Sequence, residues 1–178
     1  SASTFWPTVN THQVTWYTAV PTIHQVLLAR ADEDQAPQKS SLRFIRSCSS
    51  PLAPATMEGL EARFGCPVLE AYGMTEAAHQ MSSNPLPPGQ RRPGSVGRGT
   101  GVQIAIMDEA GTLLPNGTQG EVVIQGANVT HGYHNNPEAN AAAFTKGWFR
   151  TGDQGILDAD GYLTLVGRLK ELINRAGE

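Results

Sequence analysis

A proline- and glycine-rich stretch, residues 82–101, separates two parts of the chain that differ in secondary-structure pattern. Such a stretch interrupts regular structure and is typical of a connection between subdomains. Strand-like and helix-like segments alternate before it, and short strand-like runs follow one another after it. We therefore predict an α/β architecture followed by a mostly antiparallel β architecture. The predicted boundaries are residues 1–81, 82–101, 102–168 and 169–178.

The first part alternates strands with helices. Residues 14–18 are β-branched and aromatic, and residues 42–46 alternate apolar and basic side chains, as strands do. Residues 67–71 form a third strand-like run, and helical spacing precedes it at 57–64. This alternation favours a parallel or mixed sheet with ligands at the carboxyl ends of its strands.

The second part is predicted to be a compact β-barrel-like subdomain. Its runs of β-branched and aliphatic residues are separated by turns of the Asp-x-x-Gly type. The predicted strands are residues 102–107, 121–125 and 162–166, the turns are 108–111 and 158–161, and one short helix covers 137–144.

Composition excludes several classes of function. The 178 residues are 39% hydrophobic and 16% charged, which is ordinary for a globular protein. The net charge of −3 argues against a general electrostatic attraction to nucleic acid or to anionic lipid. No apolar run approaches the ~18–20 residues that a membrane-spanning helix needs.

Three familiar patterns do not fit known ligand sites. The glycines of residues 94–101 lack the Gly-Lys-Ser/Thr that completes a phosphate loop. The acidic turn at 158–161 has Leu169 where a calcium loop needs a glutamate. His131 and His134 have no nearby carboxylate or cysteine partner, and Cys48 and Cys66 are not spaced as metal ligands, so we expect reduced thiols of an intracellular protein.

Two motifs far apart in the sequence carry the chemistry. Residues 72–76 read YGMTE, which places an aromatic ring, a hydroxyl and a carboxylate within five residues. Residues 148–153 read WFRTGD, and residues 167–171, GRLKE, follow. The carboxylate of Asp153 in WFRTGD and the guanidinium of Arg168 in GRLKE could together bind a sugar.

With the segment RSCSSPL at residues 46–52, these motifs resemble those of the AMP-forming adenylating enzymes, which include acyl-CoA synthetases and luciferases. The resemblance covers the chain from Phe5 to its end and implies the second half of their large N-terminal domain. It places a phosphate loop before residue 1, and a small C-terminal domain with a catalytic lysine after residue 178. The 178 residues alone are then not expected to complete the reaction.

The resemblance implies a role for each motif residue. Tyr72 would stack on adenine, Glu70 would meet the adenine amino group, and Asp153 and Arg168 would bind the ribose hydroxyls. Thr75 would donate to the α-phosphate, and Glu76 would hold Mg²⁺. Lys170 would be the hinge between the adenylate-forming and the thioester-forming states of the enzyme. The residues implied in nucleotide binding are Ser50, Pro51, Glu70, Ala71, Tyr72, Gly73, Thr75, Asp153 and Arg168.

The family reaction has two steps. A carboxylic acid reacts with ATP to give an acyl-adenylate, and CoA then displaces AMP. Ala176 stands where the family usually has glycine, which permits backbone conformations that alanine disfavours. Members of the family are cytosolic, which we expect here, or peroxisomal.

Longer stretches, among them TWYTAVPTIHQ at residues 15–25 and EAAHQMSSNP at 76–85, resemble the oxalyl-CoA synthetases of plants and fungi. Ser49 and His79 match their oxalate-contacting positions, and oxalate keeps a second carboxylate that requires polar partners. Gly73 departs from the alanine of those enzymes. The alternatives are a 4-coumarate or medium-chain acyl-CoA synthetase, which would need an apolar pocket, and a non-catalytic module of the same fold.

Overall fold

The computed structural model describes residues 2–34, 36 and 40–169, and within them the chain forms two compact units. Of the described residues, the first unit comprises 2–34, 36, 40–71 and 84–94, and the second comprises 72–83 and 95–169. The chain passes from one unit to the other within a single strand, between Ala71 and Tyr72. The predicted boundary after residue 81 lies ten residues further along the chain.

The first unit is an α/β unit, as predicted. Its strands β1 and β2 pair in parallel, as do β2 and β3, with Ile45 opposite both Tyr17 and Val68. Its elements are α1 (Ala2–His12), β1 (Trp16–Ala19), α2 (Pro21–Ala29), β2 (Phe44–Ser47), α3 (Pro54–Phe64) and the beginning of β3 (Val68–Met74).

Aromatic and aliphatic side chains fill the core of this unit. Trp6 and Phe64 lie with ring centroids 4.3 Å apart and are both buried. Leu60 and Ile45 are fully buried in the same cluster. Helix α1 was not predicted, because Pro7 lies inside it and is normally read as a helix break. Burial of Trp6 and Val9 stabilises it nonetheless.

The second unit is mostly antiparallel β, as predicted. Its main sheet has the order β11–β10–β8–β6–β7, and β9 pairs with β10. Strand β4 pairs with β5, also antiparallel. Its elements are β4 (His79–Ser83), β5 (Arg98–Gly99), β6 (Gln103–Met107), β7 (Leu113–Leu114), β8 (Gln119–Gln125), α4 (Pro137–Ala143), β9 (Phe144–Thr145), β10 (Trp148–Leu157) and β11 (Leu163–Arg168).

Five strands of this unit were not predicted, namely β4, β5, β7, β9 and β10. Strand β4 lies partly in the proline- and glycine-rich stretch and begins at His79. Strand β10 contains the whole WFRTGD motif. In the described residues, no helix combines the length and the apolar character needed to cross a bilayer.

Candidate functional site

The Asp153 carboxylate accepts hydrogen bonds from two side chains, one in the YGMTE segment and one in the GRLKE segment. The Tyr72 hydroxyl donates to Oδ2 of Asp153, and Arg168 Nε donates to Oδ1 over 2.9 Å. Tyr72 and Asp153 are both buried. Burial, followed by the bond to Asp153, raises the pKa of the Tyr72 phenol far above its usual range, so the phenol remains a neutral donor. The structure therefore brings together Tyr72, assigned to adenine, with Asp153 and Arg168, assigned to ribose.

An irregularity in β10 determines where Asp153 lies. The pairing register between β10 and β8 shifts between Arg150 and Gln154, and Gly152 has φ +73°. The buried Glu121 carboxylate of β8 accepts from Arg150 Nε at 2.7 Å and from the Gly152 N–H at 3.0 Å. Glu121 thus stabilises a β-bulge, and Asp153 follows directly after it, opposite Arg168 on β11.

The remaining residues of YGMTE form the turn after β3. Residues 75–77 make one 3₁₀ turn, and Ala78 and His79 have φ values of +51° and +81°. Thr75 and His79 are exposed, and Glu76 is half-buried. The hydroxyl and the carboxylate are therefore accessible to a ligand from solvent.

Gly73 lies unusually close to His79. A Cβ at position 73 would be 1.7 Å from the carbonyl oxygen of His79 and 2.7 Å from its carbonyl carbon. Both atoms belong to the backbone, so a side chain could fit only if the chain at His79 moved. The glycine at position 73 therefore fixes how close the start of β4 comes to the end of β3.

Three residues of the segment 128–133 donate hydrogen bonds to this turn. Asn128 Nδ2 donates to the carbonyl of Ala77 at 2.8 Å, and the Thr130 N–H donates to the carbonyl of Glu76 at 2.7 Å. The Tyr133 hydroxyl donates to Glu76 Oε1 at 2.9 Å. None of these three residues was predicted, because hydrogen bonds to a turn more than 50 residues earlier leave no periodic signal in the sequence.

In the first unit, the segment assigned to adenine contact follows β2. Ser49, Ser50 and Pro51 are exposed, and Ser49 has φ +75°. Parallel pairing places Ser47, at the end of β2, opposite Glu70 on β3. Residues 49–51 and Glu70 thus lie at the carboxyl end of the parallel strands, where α/β sheets bind ligands.

Glu70 is buried and accepts a hydrogen bond from the Gly94 N–H at 2.9 Å. Burial raises the pKa of this carboxyl, and the hydrogen bond from Gly94 opposes that shift. The side chain thus already has one backbone partner within its own unit.

The described residues contain no group of three or more His, Cys, Asp or Glu side chains arranged to hold a metal ion. A single accessible carboxylate such as Glu76 nevertheless fits Mg²⁺, which keeps several waters and takes most other ligands from substrate phosphates. Lys170 and Ala176 lie outside the described residues.

Comparison with known protein families and structures assigns the chain to one family. Residues 1–134 match the family model described as AMP-binding enzyme, so the chain belongs to the AMP-binding enzyme family. Among solved structures, it is similar to the O-succinylbenzoate coenzyme A synthetase of Bacillus subtilis in complex with ATP and magnesium ion. That match has a TM-score of 0.85 and 31% identity, and covers 100% of this chain and 36% of the other.

Within the family, the chain is 59% identical to a protein of Arabidopsis thaliana named oxalate–CoA ligase, over all of this chain and 35% of the relative. It is 54% identical to the oxalate–CoA ligase of Saccharomyces cerevisiae, over 98% of this chain and 32% of the relative. A sulfoacetate–CoA ligase of Cupriavidus necator is 48% identical, over 100% and 35%. The chain thus spans about a third of the length of these curated relatives.

Proposed function

We propose that the chain is part of an ATP-dependent, AMP-forming carboxylate–CoA ligase, and that its acid is oxalate. The observation that carries the proposal is the 59% identity, over the whole chain, to a relative named oxalate–CoA ligase. The network of Tyr72, Asp153 and Arg168 supports it, because this geometry suits a nucleoside.

In the first step, one carboxylate oxygen of the acid attacks the α-phosphorus of ATP. The bond between the α-phosphorus and the bridging oxygen breaks, and pyrophosphate leaves with the electron pair. Thr75 is exposed in the turn after β3, so its hydroxyl is free to donate to an α-phosphate oxygen as negative charge builds up there.

Asp153 and Arg168 hold the ribose in this scheme. An ionised carboxylate has about four acceptor sites, and Tyr72 and Arg168 occupy two of them. Among the described residues, this leaves two sites for the paired hydroxyls of a ribose. Tyr72 is assigned the stacking on adenine, and the family resemblance assigns further base contacts to Ser50, Pro51, Glu70, Ala71 and Gly73.

Glu76 is the residue that would hold Mg²⁺, and a bound cation there would neutralise charge on the phosphates. In the second step the CoA sulfur attacks the acyl carbon, the bond to the phosphate oxygen breaks, and AMP leaves. Lys170 is proposed as the hinge between these steps.

Ser49 and His79 are proposed to contact the acid. After one carboxylate of oxalate is activated the other remains charged, and it needs hydrogen-bond donors rather than an apolar pocket. The relative named sulfoacetate–CoA ligase favours the same conclusion, because sulfoacetate is also a small acid with a second anionic group. Sulfoacetate is therefore the second candidate, ahead of 4-coumarate and medium-chain acids. We further propose a cytosolic or peroxisomal location.

ATP–pyrophosphate exchange by the full-length protein tests the choice of acid. The panel is oxalate, sulfoacetate, 4-coumarate and octanoate. We expect exchange to be fastest with oxalate, and His79→Ala to raise the KM for oxalate without a comparable change in the KM for ATP. Exchange with coumarate or octanoate and none with oxalate would refute the assignment.

A further inference from the structure

Tyr133 has a hydrogen bond to the carboxylate assigned to Mg²⁺. Its hydroxyl donates to Glu76 Oε1 over 2.9 Å, and the two residues are 57 positions apart. We propose that Tyr133 is a positioning residue that fixes the orientation of the Glu76 carboxylate for the metal–nucleotide complex. This inference rests on the proposed function, because it assigns Glu76 the same role.

Tyr133 is itself held firmly at its backbone. Its N–H donates to Asn140 Oδ1 at 2.6 Å, and Asn140 Nδ2 donates to its carbonyl oxygen at 3.0 Å. Asn140 belongs to α4, whose N-terminus is capped by the Asn136 side chain. The hydroxyl of Tyr133 therefore extends from a fixed point.

The main chain of Glu76 is held independently. The Thr130 N–H donates to its carbonyl oxygen, and Asn128 bonds the carbonyl of the next residue, Ala77. With the backbone fixed by these bonds, the principal freedom left to Glu76 lies in its side-chain rotamers. Ordering a glutamate side chain costs conformational entropy. A hydrogen bond that orders it before the ligand arrives reduces that cost at binding.

The Tyr133 contact leaves the carboxylate able to bind a cation. The hydroxyl occupies one acceptor site on Oε1, so Oε2 and the second site of Oε1 remain. The Tyr133 hydroxyl is a neutral donor and therefore adds no negative charge to the site. A neutral donor orients the carboxylate without competing for the metal.

A purely structural role for the hydroxyl is less consistent with its surroundings. Tyr133 is 39% exposed and belongs to neither hydrophobic core cluster. A hydrogen bond at such an exposed place adds little to folding, so its main effect is on the orientation of Glu76.

The test is Tyr133→Phe in the full-length protein, which removes only the hydroxyl. The probe is Mn²⁺ with a non-hydrolysable ATP analogue, and free Mn²⁺ is measured by electron paramagnetic resonance. We expect Mn²⁺ affinity to fall roughly three- to tenfold, as for the loss of one hydrogen bond to a charged group. The apparent KM for Mg²⁺ in pyrophosphate exchange should rise by a similar factor, with kcat less affected.

Two further variants make the result specific. His131→Ala changes an exposed residue two positions away and should leave Mn²⁺ affinity unchanged. In a Glu76→Ala background, Tyr133→Phe should have no further effect, because its partner is absent.

The possible failures are distinguishable. If Glu76→Ala leaves Mn²⁺ affinity unchanged, the proposed metal role of Glu76 is wrong. If Glu76→Ala weakens Mn²⁺ binding and Tyr133→Phe does not, or if the effect of Tyr133→Phe persists without Glu76, the positioning role is wrong. A lower thermal unfolding midpoint for Tyr133→Phe with unchanged Mn²⁺ affinity would equally overturn it, because the hydroxyl would then be structural.

Discussion

Among the described residues, the Asp153 carboxylate accepts hydrogen bonds from the side chains of Tyr72 and Arg168. Tyr72 comes from the first motif and Arg168 from the second, so either substitution alters the same carboxylate. Because Asp153 is buried, the loss of one donor leaves an acceptor that water cannot easily satisfy.

Tyr72→Phe is predicted to lower the free energy of unfolding by about 1–3 kcal/mol, since it removes a buried hydrogen bond to a charged group. It should also raise the KM for ATP, because Asp153 loses one of the groups that orient it. Thermal unfolding and steady-state kinetics measure the two effects.

Tyr17→Phe is the matched control. Tyr17 is as buried as Tyr72, and its hydroxyl meets His24 Nδ1 at 3.3 Å in the first unit. This variant should lose stability but keep the KM for ATP. An unchanged KM in Tyr72→Phe as well would show that the hydroxyl has no part in nucleotide binding.

Glu70→Gln is predicted to make stability less dependent on pH. Burial raises the pKa of Glu70 in the folded state, so the contribution of Glu70 to stability is full below its ordinary pKa of 4.5 and is lost as pH rises through the raised value. Glutamine keeps a carbonyl oxygen for the Gly94 N–H and carries no charge.

Denaturant unfolding measured between about pH 4 and about pH 7 checks this prediction. The variant should be more stable than the wild type near neutrality, and the difference should shrink as pH falls. A difference in stability that grows toward acid pH would mean that the fold favours the ionised form of Glu70 rather than disfavouring it.

Gly73→Ala is predicted to move His79. The new Cβ cannot coexist with the present position of the His79 carbonyl, so the start of β4 must shift. We expect a loss of stability of about 1–3 kcal/mol and a change in the KM for the acid that exceeds any change in the KM for ATP.

Gly65→Ala provides the comparison for that variant. Gly65 ends α3 with φ +65°, and a Cβ there would meet no atom within 4 Å. Its replacement should cost about 1–2 kcal/mol of stability through backbone strain and leave both KM values unchanged. If Gly73→Ala also leaves both KM values unchanged, the close approach of Gly73 to His79 does not affect binding of the acid.

At the level of elements, the bulge in β10 sets the position of Asp153, the residue proposed to bind ribose. Glu121 holds it by binding Arg150 and the Gly152 N–H at once. Glu121→Gln is predicted to lower the free energy of unfolding by about 3 kcal/mol, because it leaves a largely buried arginine without its anion. It should also raise the KM for ATP as Asp153 is displaced.

The double variant Glu121→Gln with Arg150→Met distinguishes charge from geometry. Removal of both charges should restore part of the stability that the single variant loses. No recovery in the thermal unfolding midpoint would mean that the bond to Gly152, rather than the ion pair, holds the bulge.

The elements also show what the sequence could and could not predict. Helix α3 has a clear hydrophobic spacing, and its buried Met57, Leu60 and Phe64 were readable from it. Helix α1 and strand β4 were missed because burial and pairing, rather than local propensity, decide their conformation.

The residues of the candidate site also divide into those that the sequence identified and those that it did not. Motif residues such as Tyr72 and Asp153 were identified from their resemblance to a family, and the structure brings them together. Glu121, which holds the bulge before Asp153, and Tyr133, which donates to Glu76, make contacts across long sequence separations. Such contacts depend on the register of β8 against β10 and on the course of the segment 128–133, which local patterns do not encode.

At the scale of the whole molecule, the chain contributes the residues assigned to adenine, ribose and metal. The residues assigned to that set are Ser50, Pro51, Glu70 and Ala71 in the first unit, and residues of the two motifs in the second. The chain spans 35% of the Arabidopsis relative, so the account of the complete reaction concerns the full-length protein.

The products of the reaction test the central claim most directly. Full-length protein is incubated with ATP, Mg²⁺, CoA and oxalate, and nucleotides are separated by chromatography. The account predicts AMP and pyrophosphate in equal amounts with oxalyl-CoA, and their loss in Asp153→Ala. Formation of ADP and phosphate instead, or oxalate-dependent AMP that is unaffected by Asp153→Ala, would contradict it.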